Sequence, residues 1–155
     1  MLPYTATDSL NAISRELGTG NTPEPHDHLS VILHRQRRIT PQALLVLYER
    51  AGRAQPAADI NLGKLLDAGP AVGAWDGERL IGFARALSDG QLVAYIEEVV
   101  IDPQYREQGL GQVLVGALLA ELAGVAVVNR RGSTGSVTIY ERRGAQSVIN
   151  RLLRG

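Results

Sequence analysis

Two glycine turns divide the middle of the chain into three apolar runs. The Asp-Gly pair at 76–77 is a strong hairpin signal and separates residues 71–75 from residues 79–87. A Ser-Asp-Gly turn at 88–90 then leads into a third run, residues 92–101. Strands joined by such short turns are antiparallel neighbours, so the sequence predicts a three-stranded meander at the centre of a sheet.

Helices and further strands are predicted on both sides of this meander. Residues 29–33 form a β-branched apolar run, and Thr40 followed by Pro41 predicts the start of a helix that ends near Gly52. A helix over 109–122 has apolar residues nearly all round it, so we expect it to be buried on most sides. The remaining predicted elements are a helix at about 58–66, a strand at 125–129, a helix at about 134–143 and a last strand at 147–152.

These elements predict an α/β (α+β) domain with a mixed, mostly antiparallel central sheet flanked by helices. A length of 155 residues fits one domain. Residues 1–28 differ from the rest, because a short helix after Asp8 would stop at Gly18 and a glycine- and proline-rich stretch follows. We therefore expect an N-terminal appendage over 1–28 and the domain over 29–155.

Charge and composition exclude several classes of protein. Sixteen basic and sixteen acidic side chains give no net charge, so we expect neither nucleic acid nor a membrane surface as a partner. The chain has no cysteine, and no further cluster completes a metal site around the histidines at 26 and 28, so we expect no metal. The N-terminus lacks the pattern of a signal peptide, and we expect a cytoplasmic protein.

Residues 101–111, Ile-Asp-Pro-Gln-Tyr-Arg-Glu-Gln-Gly-Leu-Gly, link an apolar strand to the predicted 109–122 helix. Two glycines spaced by one residue allow close approach of a ligand, and a helix N-terminus offers unpaired N–H groups to an anion. The Arg106 guanidinium could also donate two charged hydrogen bonds to a phosphate. The alternative is a glycine-rich turn that binds nothing. A P-loop is excluded because Gln112 and Val113 follow Gly111 where Lys and Ser or Thr are needed, and Leu114 replaces the third glycine of a dinucleotide fingerprint.

The segment 94–111 resembles the central motif of the GNAT superfamily of acyl-CoA-dependent N-acetyltransferases. The family pattern Arg/Gln-x-x-Gly-x-Gly/Ala is met by Arg106, Gly109 and Gly111. Residues 72–85 resemble the family's second and third strands, and Tyr-Glu-Arg-Arg-Gly-Ala at 140–145 resembles its Tyr-Glu-x-x-Gly-Phe. The resemblance covers roughly residues 29–150, with departures at Ala145 and at the Gly-Ser-Thr-Gly of 132–135.

This resemblance implies a GNAT fold with splayed central strands and acetyl-CoA as the cosubstrate, with no metal. The strand ending at Ile101 would splay from its neighbour and leave a gap for the acyl-pantetheine arm. The main chain around Val99 and Ile101 would pair with that arm, and the loop after it would hold the pyrophosphate. The implied cofactor-binding residues are Val99, Val100, Ile101, Arg106, Glu107, Gln108, Gly109, Leu110, Gly111 and Gln112.

Catalysis by direct attack requires a base for the acceptor ammonium and an acid for the departing thiolate. Glu97 and Glu98 are adjacent in an apolar strand, and alternation would send them to opposite faces. Glu97 is the preferred base and Glu98 the second candidate, while an ion pair with a neighbouring arginine such as Arg85 is the structural alternative for either. The resemblance assigns the acid to Tyr140, whose alternative role is a packed helix aromatic.

Two functions are compatible with these residues. The first is an N-acetyltransferase acting on a primary amine of a small molecule or protein, with the acceptor set partly by the loop near residues 53–59. The second is a non-catalytic acyl-CoA-binding regulatory module that acts on a partner through residues 1–28. A homodimer would cover the sheet edge left by the short C-terminal region.

Overall fold

The computed structural model describes residues 28–131 and 137–141. Within these ranges the strands are β1 (Leu29–Leu33), β2 (Ala71–Asp76), β3 (Arg79–Ser88), β4 (Val93–Ile101), β5 (Val127–Arg131) and β6 (Val137–Glu141). The helices are α1 (Pro41–Arg50), α2 (Leu62–Asp67) and α3 (Leu110–Glu121), with a 3-10 helix at Pro103–Tyr105. The predicted meander of β2, β3 and β4 is confirmed.

The six strands form one sheet in the order β1-β2-β3-β4-β5-β6. All neighbouring pairs are antiparallel except β4 and β5, which are parallel. The parallel pairing runs only from Val93↔Val127 to Ile96↔Arg130. Beyond it β4 continues to Ile101 with β3 as its sole partner strand among the described residues. The predicted mixed sheet with splayed central strands is therefore confirmed.

Two apolar layers enclose the sheet. On one face α3 packs Leu114 and Leu118 against a core that includes Ile81 and Ile96. On the other face α1 packs against a core that includes Phe83 and Val100, and α2 contributes Leu66 to it. The helix α3 is less enclosed than its composition predicts, since Gln112, Gly116 and Ala120 form an exposed stripe.

The C-terminal part of the prediction is wrong where the structure describes it. A helix at about 134–143 was expected, but Val137–Glu141 form the strand β6, which pairs antiparallel with β5. The β-branched run Val137-Thr138-Ile139 favours a strand, and β5 offers it an edge to pair with. The predicted strand at 147–152 and residues 1–27 of the appendage predicted over 1–28 lie outside the described residues.

The second helix is shorter than predicted, because it begins at Leu62 and not at about residue 58. Its start is fixed by Asn61, whose side chain accepts a hydrogen bond from the backbone N–H of Lys64. The helix α1 has the same kind of start, because the Thr40 side chain accepts from the N–H of Ala43. That start was predicted correctly from Thr40 and Pro41.

Candidate active site

A β-bulge in β4 places the two candidate bases on one face of the sheet. Arg85 of β3 is opposite Glu98 and Ala86 is opposite Ile96, so Glu97 is the extra residue. Ile96 and Val99 both pack on the α3 side of the sheet, while Val100 packs on the α1 side. The expectation that strand alternation separates Glu97 from Glu98 is therefore wrong, because the bulge interrupts the alternation between them.

Both carboxylates contact one guanidinium. Arg85 Nη2 lies 3.3 Å from Glu97 Oε2, and Arg85 Nε lies 3.5 Å from Glu98 Oε2. The Arg85 side chain is 16% exposed, that of Glu98 is 20% exposed, and that of Glu97 is 50% exposed. The predicted ion pair with Arg85 thus exists for both glutamates, and Glu97 is the one that remains open to solvent.

The Tyr48 side chain of α1 reaches Glu98 from the buried side. Tyr48 is 4% exposed and belongs to the core between α1 and the sheet. Burial, and next the hydrogen bond to Glu98, raise the pKa of the Tyr48 phenol above its ordinary value of 10.0. The Tyr48 phenol therefore stays protonated to higher pH than a free tyrosine.

A cleft of about 500 Å³ opens where β4 and β5 separate. Its lining includes Glu97, Glu98, Val99, Ile101, Arg53, Tyr105, Arg106, Glu107, Gly109, Leu110, Gly111 and Arg130. The Asp102 N–H bonds to the Ile81 carbonyl of β3, so by alternation the backbone groups of Val99 and Ile101 point away from β3 and toward the cleft.

Two arginine side chains donate to the carbonyls on that edge. Arg53 Nη2 is 3.1 Å from the Val99 oxygen, and Arg106 Nε is 3.2 Å from the Ile101 oxygen. Arg106 also donates to the carbonyl of Ala51, the residue that ends α1, at 3.2 Å. These hydrogen bonds show that the two carbonyl oxygens can accept from groups outside the sheet. The amide N–H groups of an extended ligand could bind at the same oxygens.

The loop between β4 and α3 has the backbone shape of an anion site. Glu107 has φ 63° and Gly109 has φ 77°, both in the left-handed region. Gly109 is the residue before α3, and no side chain caps the helix there. The first N–H groups of α3 are consequently available to a ligand, with the positive end of the helix dipole behind them. Gly111 packs its backbone near Val99, whose Cγ1 would lie 3.8 Å from an added Cβ.

A buried carboxylate fixes the start of this loop. Asp102 is 1% exposed, accepts from the N–H of Gln104, and ion-pairs with Arg79 at 3.1 Å and with Arg50 at 3.6 Å. An acidic group so deeply buried is stabilised only when its charge is paired and its oxygens are hydrogen-bonded. Asp102 therefore positions the turn that leads from β4 into the cleft-lining loop.

Not every predicted site residue lies at the cleft. Val100 is buried in the core on the α1 side, and Gln108 and Gln112 are absent from the lining. Tyr140 belongs to the outer strand β6 and pairs with Val128, on the part of β5 that is hydrogen-bonded to β4. Its backbone is thus at the closed end of the strand pair.

Tyr105 and Arg130 line the cleft and Tyr48 interacts with Glu98, although no sequence pattern indicated these positions. Tyr48 has the helical spacing of a core residue, and its contact with Glu98 joins residues 50 positions apart, so no local pattern marks it. Tyr105 is half-buried and donates through its hydroxyl to the Asp76 carboxylate. That hydrogen bond, and then burial, raise the pKa of the Tyr105 phenol.

The described residues contain no group of three or more His, Asp or Glu side chains that could hold a metal ion. No helix within 28–131 combines the length and apolarity needed to cross a bilayer.

The open parallel strand pair beside a glycine loop at a helix N-terminus is the arrangement that the resemblance to acyl-CoA-dependent acetyltransferases implied. A family model described as the Acetyltransferase (GNAT) family matches residues 30–145, and the chain belongs to this family. The family membership predicted from the central motif at 94–111 is confirmed.

One sequence relative and two solved structures illustrate the likeness. GCN5-related N-acetyltransferase 2, chloroplastic, from Arabidopsis thaliana is 49% identical over 45 residues, 29% of this chain and 17% of that protein. A GNAT family acetyltransferase from Streptococcus pneumoniae TIGR4 has a TM-score of 0.57 at 19% identity, covering 82% of this chain and 86% of that one. A GNAT family acetyltransferase from Elizabethkingia anophelis with acetyl-CoA bound has a TM-score of 0.50 at 16% identity, covering 81% and 75%.

The extent of these matches sets what they establish. The curated relatives are matched over 17–39% of their own lengths. The solved structures share the fold of this chain at low identity. The match of the family model over residues 30–145 establishes the family, and the solved structures establish the fold.

Proposed function

We propose that this chain transfers an acetyl group from acetyl-CoA to a primary amine. The observation that carries the proposal is the cleft beside β4, in which the Val99 and Ile101 carbonyls and the Glu97 carboxylate share one opening. A thioester held along that edge would lie next to a carboxylate able to accept a proton. The family uses acetyl-CoA, and one structural neighbour binds it.

The residues at the cleft fit acetyl-CoA. The carbonyls of Val99 and Ile101 can accept from the pantetheine amides as an added strand would. The pyrophosphate would bind at the N–H groups that follow Gly109, where no side-chain cap competes. Because the guanidinium groups of Arg53 and Arg106 contact the same two carbonyls, they must shift when the arm pairs with β4. Once released, each can reach an anionic group of the ligand.

Glu97 is the proposed general base. An alkylammonium of pKa about 10.4 has no free lone pair at neutral pH, so attack on the thioester requires removal of a proton. Glu97 is half exposed and has a single ion-pair partner among the described residues, Arg85. Glu98 is the less suitable base, because its side chain is only 20% exposed and interacts with both Tyr48 and Arg85. We assign Glu98 to the positioning of Arg85.

Tyr140 is the proposed general acid, and its support comes from the motif at 140–145. A phenol near pKa 10 can protonate a thiolate whose conjugate acid has a pKa of about 8.5. The register opposite Val128 is an argument against this role, since it puts the Tyr140 backbone away from the open end of β4. Replacement by phenylalanine decides it: a true acid loses turnover with unchanged acetyl-CoA affinity.

The acceptor is proposed to be a small amine. The cleft has a volume of about 500 Å³, and the Glu97 side chain at its edge is 50% exposed. A protein amine is the alternative within the same reaction. A cytoplasmic location and a homodimer remain predictions from the sequence, and gel filtration with multi-angle scattering tests the second.

Calorimetric titration with acetyl-CoA, CoA, ATP and NADH tests the cofactor, and thiol release in the presence of amines tests the reaction. We expect binding of the two CoA species alone, followed by amine-dependent thiol release. CoA binding without turnover across a broad amine panel would favour the non-catalytic regulatory module. No binding of either CoA species would overturn the proposal.

A further inference from the structure

An exposed aromatic–aliphatic pair stands beside the proposed base. Tyr95 of β4 and Leu87 of β3 are cross-strand partners in the register of the sheet. They are 56% and 41% exposed, although large apolar side chains of a strand are usually covered. Tyr95 and Glu97 are two residues apart before the bulge takes effect, so they lie on the same face of β4.

Burial of the neighbouring residues identifies that face. Ala86, Ala94 and Ile96 are buried in the core under α3, so the residues between them point to the opposite side of the sheet. On that opposite side, α1 covers Phe83 and Val100, which lie toward the other end of β3 and β4. The Tyr95–Leu87 pair therefore lies on the α1 face of the sheet, beyond the part that α1 covers, with Arg85 and Glu97 between the pair and the helix.

The exposed pair and the carboxylate have complementary chemistry for one kind of molecule. Residues i and i+2 of a strand are separated by about 6.6 Å along it. A flat ring placed on Tyr95 and Leu87 could thus carry an amine on a two- or three-carbon linker to the Glu97 carboxylate. Arg85 offsets only one of the two carboxylates that contact it, so a negative charge is left for an ammonium group.

We propose that the acceptor is a small arylalkyl primary amine, whose ring packs on Tyr95 and Leu87 and whose nitrogen is presented to Glu97. The inference rests on the proposed acetyl transfer and specifies its acceptor. Acetyl-CoA approaches through the cleft between β4 and β5, and the amine approaches over the exposed sheet face, so that Glu97 lies between the two substrates. Tyr95 and Leu87 act as substrate-positioning residues.

The test compares amines of similar basicity with the full chain and saturating acetyl-CoA. Turnover of 2-phenylethylamine and 3-phenylpropylamine is measured against ethanolamine as kcat/KM. Burial of one ring against two side chains predicts a preference on the order of tenfold for the aryl amines. Tyr95→Ser should abolish most of the preference through a higher KM for the aryl amine, whereas Tyr95→Phe should keep it.

Ala120→Ser is the control, because Ala120 is exposed on α3, which packs on the opposite face of the sheet from the exposed pair. The control variant should retain the preference and the KM for acetyl-CoA. Turnover without preference for the aryl amines, or a preference that Tyr95→Ser leaves intact, overturns this inference and leaves the proposed function standing. A peptide amine used far better than any aryl amine overturns it as well. Acetyl-CoA binding with no turnover of any amine overturns the proposed function and this inference together.

Discussion

Glu97 and Glu98 are consecutive in β4, yet their carboxylates lie 3.3 and 3.5 Å from nitrogens of the same guanidinium, that of Arg85. A β-bulge makes this possible, because Glu97 is an extra residue in β4 opposite Arg85 and Ala86 of β3. The Glu98 side chain is 20% exposed and interacts with Tyr48, whereas the Glu97 side chain is 50% exposed at the cleft. The bulge therefore gives two chemically identical side chains different surroundings.

Replacing Glu97 with glutamine should lower kcat by roughly 10²–10⁴-fold, the range that a general base contributes. The amide keeps the size of the side chain but cannot accept the ammonium proton. Affinity for acetyl-CoA should be unchanged by calorimetry. Glu78→Gln is the control, since Glu78 is a fully exposed glutamate paired only with Arg37 in the described part of the chain. Equal kcat for the wild type and Glu97→Gln would remove Glu97 as the base.

Gly109→Val should weaken the binding of CoA by about tenfold or more, because a β-branched side chain is strained at φ 77° and crowds the N–H groups before α3. Gly90→Val is a closely matched control. Gly90 has φ 80° and open space around it in the β3–β4 turn, far along the strands from the cleft. The two variants should lose similar stability in urea, and only the first should lose CoA affinity. Equal affinities in both would contradict the assignment of the loop.

Alkaline pH should destabilise the protein through Tyr48. Its pKa is raised in the folded state, so above pH 10 the unfolded chain loses a proton that the folded chain retains. Stability from this group is complete below about pH 10 and is lost as pH rises above it, by about 1 kcal/mol at pH 11. Urea unfolding at pH 9 and pH 11 should show a smaller loss for Tyr48→Phe than for the wild type. An identical loss in both would exclude Tyr48 as the source.

Two glycine-to-alanine changes should have opposite effects on stability. A Cβ on Gly69 would lie 2.4 Å from the carbonyl oxygen of Ala86, so Gly69→Ala must displace backbone and should cost about 1–3 kcal/mol. Gly116 lies in α3 with open space around it, and Gly116→Ala should stabilise by about 0.5–1 kcal/mol. Thermal unfolding of both variants measures this. A destabilised Gly116→Ala would show that this face of α3 is covered by another part of the protein.

Much of the fold could be predicted because its signals are local. The turns at 76–77 and 88–90, the cap at Thr40 and the apolar runs between them each depend on residues close in sequence. The same holds for the loop at 101–111, since the conformation that Gly109 adopts and the free N–H groups behind it are properties of one turn of chain. The family resemblance rested on this segment, and the match over 30–145 confirmed it.

Two of the predictions that failed depended on pairing between distant segments. The strand β6 forms because β5 supplies an edge, and no pattern within 134–143 reports that edge. The opposite-face prediction for Glu97 and Glu98 assumed a regular strand, whereas the register with β3 inserts a bulge at Glu97.

The sequence by itself determined the meander, the glycine loop and the identity of the candidate groups, because short-range sterics and hydrogen bonding fix them. Only the tertiary structure decided which glutamate side chain is exposed to solvent and which is largely buried. That distinction depends on Tyr48 from α1, on Arg85 from β3 and on the separation of β4 from β5. These parts are far apart in the chain, and only helix packing and strand register bring them together.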